Sequence, residues 1–291
     1  MIPLLIGAGA AVVLAALNRR RVARTVESEY AERFPADAGG IASGAEGFVL
    51  PGTTGRGLLL LHGSGDSPQS LRYLADILHV AGYEVHAPLL PGHGRSPRAF
   101  AGTTSADYRA ATTRALATVT SRNAWTGVIG LSMGAALGAN AVSASKEVRV
   151  LVLLAPYMIP PTAVRVTSKM GLLWSSLTPY VRGRGAASVH DPAARDESRA
   201  YGTFSRGALG ALVATADAGF RALGMITIPT LVINSAQDNR IPRALADRVL
   251  SAIKAPLEAH WLEGCGHVIT VDYCKDVVAK LVLAFLARHA G

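Results

Sequence analysis

The sequence predicts an α/β fold: a mostly parallel sheet with helices on both faces and a helical cap insertion. Three observations carry this. From about residue 46, short apolar runs alternate with segments of helical spacing. Several of the runs are apolar at consecutive positions, the pattern of strands buried on both faces. The alternation lapses between residues 157 and 226 and then resumes, a gap too long for an ordinary loop.

The elements follow in order. Residues 2–17 carry no charge and are followed by Arg19, Arg20 and Arg21. A sixteen-residue helix spans about 24 Å, short of a hydrocarbon core of about 30 Å, but thinning and snorkelling arginines can close the difference. Positive charges after the apolar run are the reverse of a secretory signal. Residues 1–21 are therefore expected to be a membrane anchor. The positive-inside rule then puts the body of the chain in the cytoplasm, with a soluble cytoplasmic or an exported protein as the alternatives. Residues 22–44, polar and ending Asp37-Ala38-Gly39-Gly40, read as a linker.

A short strand over 46–50 precedes Gly57–Leu61, which ends at His62-Gly63-Ser64-Gly65. Residues 67–81 have helical spacing, with Leu71, Leu74, Ile77 and Leu78 on one face. A strand over 83–90 ends in Pro91-Gly92-His93-Gly94, and a helix follows over 104–122. Strand 127–131 runs straight into helix 132–145, and strand 148–154 follows. After the cap (157–226) come strand 230–234, helix 244–253, strand 258–262 and helix 271–287. The core thus comprises 45–156 and 227–291.

Half of the 291 residues are apolar and 17% are charged, enough for a sizeable core. The net charge of +9 favours an anionic surface. No zinc-finger spacing, basic-aromatic motif or long basic tract is present, so nucleic acid is not an expected partner. Cys265 and Cys274 are too few for a disulfide framework or a metal cluster and read as free thiols of a reducing compartment.

Gly130-Leu131-Ser132-Met133-Gly134 fits G-x-S-x-G. Alone the motif is weak, but here an apolar strand leads into it and a helix leaves it. Such a turn holds a serine in a strained conformation at the positive end of a helix. A serine hydroxyl needs a base. His267, in Glu263-Gly264-Cys265-Gly266-His267 after the last strand, is the candidate. His79, His86, His190, His260 and His289 read as structural, and His62 as a buttress of the loop after its strand. Asp238, after strand 230–234, is the carboxylate that would fix the imidazole tautomer. Asp272 competes but reads as a cap of the last helix, and Asp66 as a turn residue. Two backbone N–H groups must hold a developing oxyanion. Met133 offers one and Ser64 the other, with Gly65 as fallback.

In these motifs the chain resembles the bacterial carboxylesterases and monoacylglycerol lipases of the α/β-hydrolase superfamily. LLLLHG, APLLPGHG, GLSMG, PTLVINSAQDNRIP and GCGHVITVDYCKDVV match in order over residues 45–289. The resemblance implies an α/β-hydrolase fold, a Ser132–Asp238–His267 triad and oxyanion donors at Ser64 and Met133. It also implies a helical cap and no metal or cofactor. The N-terminal segment lies outside it, and the cap matches weakly. The expected substrate is a medium-chain acyl ester or a monoacylglycerol. Thioester, amide and lactone hydrolysis or acyl transfer on the same triad are the alternatives, with a non-catalytic binding protein behind them. Gly65, His93, Met158 and Trp174 are the expected pocket residues, with a lipid or ester as the ligand and a membrane as the partner of residues 2–17.

Overall fold

The computed structural model describes residues 2–183 and 185–290; side chains are described for 13–183 and 187–290. Seven strands form one sheet: β1 (Phe48–Leu50), β2 (Arg56–Leu61), β3 (Glu84–Ala87), β4 (Trp125–Leu131), β5 (Val148–Leu154), β8 (Thr230–Ser235) and β9 (Leu257–Leu262). Their order is β1-β3-β2-β4-β5-β8-β9, antiparallel only between β1 and β3. The central strands are buried almost throughout, so both faces must be covered. Helices α2 (Arg72–Val80) and α11 (Lys275–His289) pack together on one side. Helices α4 (Ser105–Arg122), α5 (Met133–Ser143) and α9 (Arg206–Ala222) pack together on the other, and α10 (Arg243–Ala252) joins β8 to β9. This is the architecture the resemblance implies.

The expected cap is shorter than 157–226. Its last helix, α9, is not part of a cap: it lies along α5 and buries Ala208, Leu212, Thr215 and Ala216. A Cβ on Gly219 would stand 2.6 Å from Ala136 Cα, so the two helices touch through backbone. What remains over the sheet edge is α6 (Thr162–Lys169), α7 (Gly171–Leu177), α8 (Pro192–Glu197) and an antiparallel pair, β6 (Tyr180–Arg182) with β7 (Thr203–Ser205). A short α3 (Pro97–Ala101) precedes α4, started by Ser96, whose side chain accepts from Ala99 N–H.

Residues 22–44 are not a linker. Helix α1 runs without a break from Ile2 to Arg33. No glycine or proline occurs between residues 10 and 34, so nothing stops the helix before Pro35. The segment after it is pinned as well. Ala42 N–H donates to Gly94 O, Ser43 O accepts from Arg199, and Tyr30, Phe34, Ala42 and Ala45 form a small second core with Tyr201. The side chains of the first part of the expected anchor, residues 2–12, lie outside the described residues. Among the described residues no helix is long and apolar enough to cross a membrane.

Candidate active site

The parallel strands β4, β5 and β8 end in register, Leu131 opposite Leu154 and Leu154 opposite Ile233, so the turns that leave them share one edge. At the first, Ser132 has φ 56° and ψ −115°, a conformation that only its surroundings can impose. Its N–H donates to Leu154 O and its carbonyl accepts from Tyr157 N–H, which fastens the turn to the end of β5. A Cβ on Gly130 would stand 2.3 Å from Gly134 O, and one on Gly134 would stand 2.0 Å from Leu61 O. The motif's two outer glycines are thus where strand, helix and neighbouring strand leave no room for a side chain.

Ser132 Oγ donates to His267 Nε2 at 2.8 Å, and His267 Nδ1 donates to Asp238 Oδ2 at 2.7 Å. The imidazole and carboxylate side chains are each 4% exposed, so water does not compete for the second bond. Asp238 Oδ1 accepts the N–H groups of Arg240 and Ile241. Burial would raise the Asp238 pKa, but the neighbouring His267 and those two amides outweigh it and hold the carboxyl below its ordinary value. The structure therefore joins Ser132, His267 and Asp238 in one hydrogen-bonded chain. Such a chain can move the serine proton to a leaving group while the carboxylate keeps the imidazole oriented.

Asp272 is elsewhere. It is fully buried and accepts the N–H groups of Gly266, His190, Asp191 and Tyr273. Burial works against its charge, yet the four amides bring its pKa down. It does not cap α11 with its side chain; it ties the His267 loop to the cap segment 188–191. A Cβ on Gly266 would stand 2.5 Å from Ser188 O, so the two segments are in backbone contact.

The two cysteines are not free thiols. Cys265 and Cys274 form a disulfide that closes the loop carrying His267. They are nine residues apart and fall on either side of a turn, a pairing that spacing alone does not reveal. Ser235 Oγ holds the Cys265 carbonyl, adding a second tether from β8.

The loop after β2 passes beside the serine: a Cβ on Gly63 would lie 3.4 Å from Ser132 Cβ. Gly65 is unsuited as the fallback donor, because its N–H is already given to His93 Nε2 at 3.0 Å. Ser64 lines the cleft, and its Oγ is buried without a hydrogen-bond partner among the described residues. Met133 opens α5, where the helix presents unpaired N–H groups.

The cleft at Ser132 is narrow, with a cavity volume of about 40 Å³. Of the expected pocket residues, none of Gly65, His93, Met158 and Trp174 lines it. His93 is buried behind the loop, its Nδ1 bonded to Pro91 O. Met158 belongs to the main core just after β5, and Trp174 is turned back to Thr167 O. Val189, Ala200, Val268 and Val271 supply the apolar wall instead, with Asp66 and Arg240 as its ionisable members. Burial pushes the Asp66 carboxyl above its ordinary value, against the opposing pull of Ser70, Arg240 and His267. Arg240 is aimed by its bond to Ser188 Oγ at 2.6 Å. Asp66 follows the His62-Gly63-Ser64-Gly65 loop and Arg240 lies within PTLVINSAQDNRIP, and neither carried a further signal. His62 does buttress the loop, accepting Leu90 N–H and donating to Gly63 O.

Residues 58–281 match the model of the alpha/beta hydrolase family. The chain is 29% identical over 262 residues to the thermostable monoacylglycerol lipase of Bacillus sp. (strain H-257), covering 89% of this chain and 99% of that relative. It is 25% identical over 241 residues to a carboxylesterase of Bacillus subtilis (strain 168), covering 80% and 93%. A solved structure from the metagenome-derived lipolytic enzymes LipS and LipT superposes with a TM-score of 0.79 at 26% identity, covering 86% of this chain and all of that one.

Proposed function

Because the chain belongs to the alpha/beta hydrolase family, we propose that it hydrolyses carboxylic esters through an acyl-enzyme on Ser132. Ester hydrolysis is the activity named for its monoacylglycerol lipase and carboxylesterase relatives. The observation that carries the residue roles is the unbroken chain from Ser132 Oγ through His267 to Asp238, with links of 2.8 and 2.7 Å. In this reading His267 takes the Ser132 proton as Oγ attacks the ester carbonyl. The oxyanion settles between the N–H groups of Met133 and Ser64. His267 then gives the proton to the leaving alcohol, and water repeats the sequence on the acyl-enzyme.

The substrate we favour is a monoacylglycerol or a medium-chain acyl ester. The aliphatic wall of Val189, Ala200, Val268 and Val271 suits an acyl chain, and the unpaired Ser64 Oγ, the Asp66 carboxyl and the Arg240 guanidinium suit a polar alcohol portion. The Bacillus monoacylglycerol lipase, matched almost end to end, supports the same choice. Association with a membrane through the first helix belongs to the proposal. The disulfide favours an oxidising compartment, and so the exported alternative over a cytoplasmic one.

The test is labelling by a fluorophosphonate followed by a chain-length series of nitrophenyl and glyceryl esters. Labelling that vanishes in Ser132→Ala, with a rate maximum at medium chains, is expected. An activity peak on acetyl esters would remove the lipid reading. Full activity in Ser132→Ala would remove the nucleophile.

A further inference from the structure

Two segments far apart in sequence share an unusual charge pattern. Residues 1–26 contain four arginines and no acid, and residues 148–190 contain four arginines, one lysine and no acid. The structure brings them together. Asn18 Nδ2 donates to the carbonyl of Leu177, and Arg19 donates to that of Ser175, so α1 lies against the end of α7.

Around this contact large apolar side chains face solvent. Val166 on α6, Met170 at the junction, and Leu172, Leu173 and Leu177 on α7 are 47–68% exposed. Leu14 and Leu17 on α1, at 66% and 55%, lie next to them in the turn before Asn18. Scattered exposed leucines need no explanation, but a row of seven large apolar side chains over three helices does. Just beyond the row, Arg20, Arg21 and Arg24 are exposed on α1 and Lys169 on α6. Arg19, Arg24 and Arg98 line one open groove between α1, α3 and β6. Within the face Arg165 is neutralised by Asp217, and Glu27, the first acid of the chain, accepts from Tyr180 Oη.

We infer that this face, made jointly by α1 and the α6–α7 cap, docks flat on a bilayer of anionic phospholipid. An aliphatic row edged with arginines meets the two requirements of stable peripheral binding, apolar insertion and a basic patch, neither of which suffices alone. A second copy of the chain is the poorer occupant. Self-pairing would set these arginines against each other in a chain of net charge +9. The inference extends the lipid-substrate reading by naming the surface that meets the lipid. Its test reads binding rather than turnover, so its failure leaves ester hydrolysis untouched.

The experiment is flotation of the full chain with two kinds of vesicle: phosphatidylcholine alone, and phosphatidylcholine with about a quarter phosphatidylglycerol. Binding to the anionic vesicles at least tenfold above the neutral ones, weakened by salt, is expected. Leu173→Ser with Leu177→Ser should lower it tenfold or more. Arg20→Gln with Arg24→Gln should abolish the preference for anionic lipid. Turnover of a soluble nitrophenyl ester, unchanged in both variants, certifies their fold. Equal flotation of the leucine variant and the wild type would overturn the inference. So would failure of the wild type to float. So would a wild-type dimer that the leucine variant converts to monomer, since the face would then be a self-interface.

Discussion

The N–H of Gly65 donates to Nε2 of His93, 28 residues further along the chain. The bond fixes one end of the loop that runs beside Ser132, and it requires an unprotonated nitrogen. His93 Nδ1 is turned to Pro91 O, so the ring is neutral with its proton on Nδ1. His62 stands against it with ring centroids 4.9 Å apart and is also bonded to main chain on both nitrogens. The loop expected to hold the oxyanion is thus set by two buried neutral imidazoles.

Acid should therefore loosen this loop. Burial brings the His93 pKa down to about 4 and holds that of His62 well below its ordinary value, with His93 adding to the effect on His62. A depressed folded pKa means the unfolded chain binds the proton more readily. The stability from His93 is complete above about pH 6.5 and is lost as pH falls from there through about 4. The expected loss is about 3 kcal/mol from His93. Thermal unfolding across this window should show Tm falling with acid in the wild type. A His93→Gln variant should start lower and fall less, and parallel curves would refute the assignment.

The two buried aspartates near His267 should respond differently to the same change. Asp238→Asn keeps an oxygen for the N–H groups of Arg240 and Ile241 but presents an amide to His267 Nδ1, which selects the wrong tautomer. The expected fall in kcat is about 10⁴-fold with little change in Tm. Asp272→Asn loses acceptor capacity for four backbone donors, Gly266 among them. It should lower Tm, with a smaller effect on kcat. If the outcomes are exchanged, Asp272 is the partner of the histidine.

Gly134→Ala tests the turn at Ser132. The new methyl would lie 2.0 Å from Leu61 O, in a place bounded by the main chain of β2 and the first turn of α5. Neither can retreat without moving Ser132. Overpacking of this kind costs about 1–3 kcal/mol or more. A lowered Tm with kcat reduced beyond it is expected. A wild-type Tm would mean that the elbow has slack.

Much of this was legible in the sequence. The seven strands lie within a few residues of their expected places because buried strands leave runs of consecutive apolar residues, as Leu58–Leu61 and Val150–Leu154 do. Ser132 is marked by its motif between a strand and a helix, and Asp238 and His267 by their places after later strands; the structure brings the three within hydrogen-bonding distance. What was not legible depends on tertiary contact. His93, in the Pro91–Gly94 turn, reads as a pocket residue because its partner Gly65 lies across the sheet edge. Met158 looks like a cap residue by number but is core, since the chain has only just left β5. α9 has the small residues of a close-packed helix, yet only α5 shows what it packs against. The linker reading of 22–44 weighed polar composition over the lack of any helix breaker before Pro35.

The disulfide is the remaining feature that composition misread, and its removal gives a direct prediction. Cys265 and Cys274 close a short loop that holds His267, Val268 and Asp272. By restricting the unfolded chain, such a loop contributes roughly 2–3 kcal/mol. Both half-cystines are buried, so replacing them also disturbs packing beside β8 and α11. If restriction of the unfolded state were all, Cys265→Ala with Cys274→Ala would lower Tm and leave kcat alone. The geometry says more: Ser235 Oγ holds the Cys265 carbonyl two residues before His267, and Cys274 Sγ meets Glu263 O where the loop begins. Without the link the imidazole samples positions away from Ser132 Oγ while the cleft walls on the cap side persist. A fall in kcat of about tenfold with KM held is expected, alongside the lower Tm. The same change should follow reduction of the wild type under conditions where it stays folded. An unchanged kcat in both cases would confine the disulfide to stability.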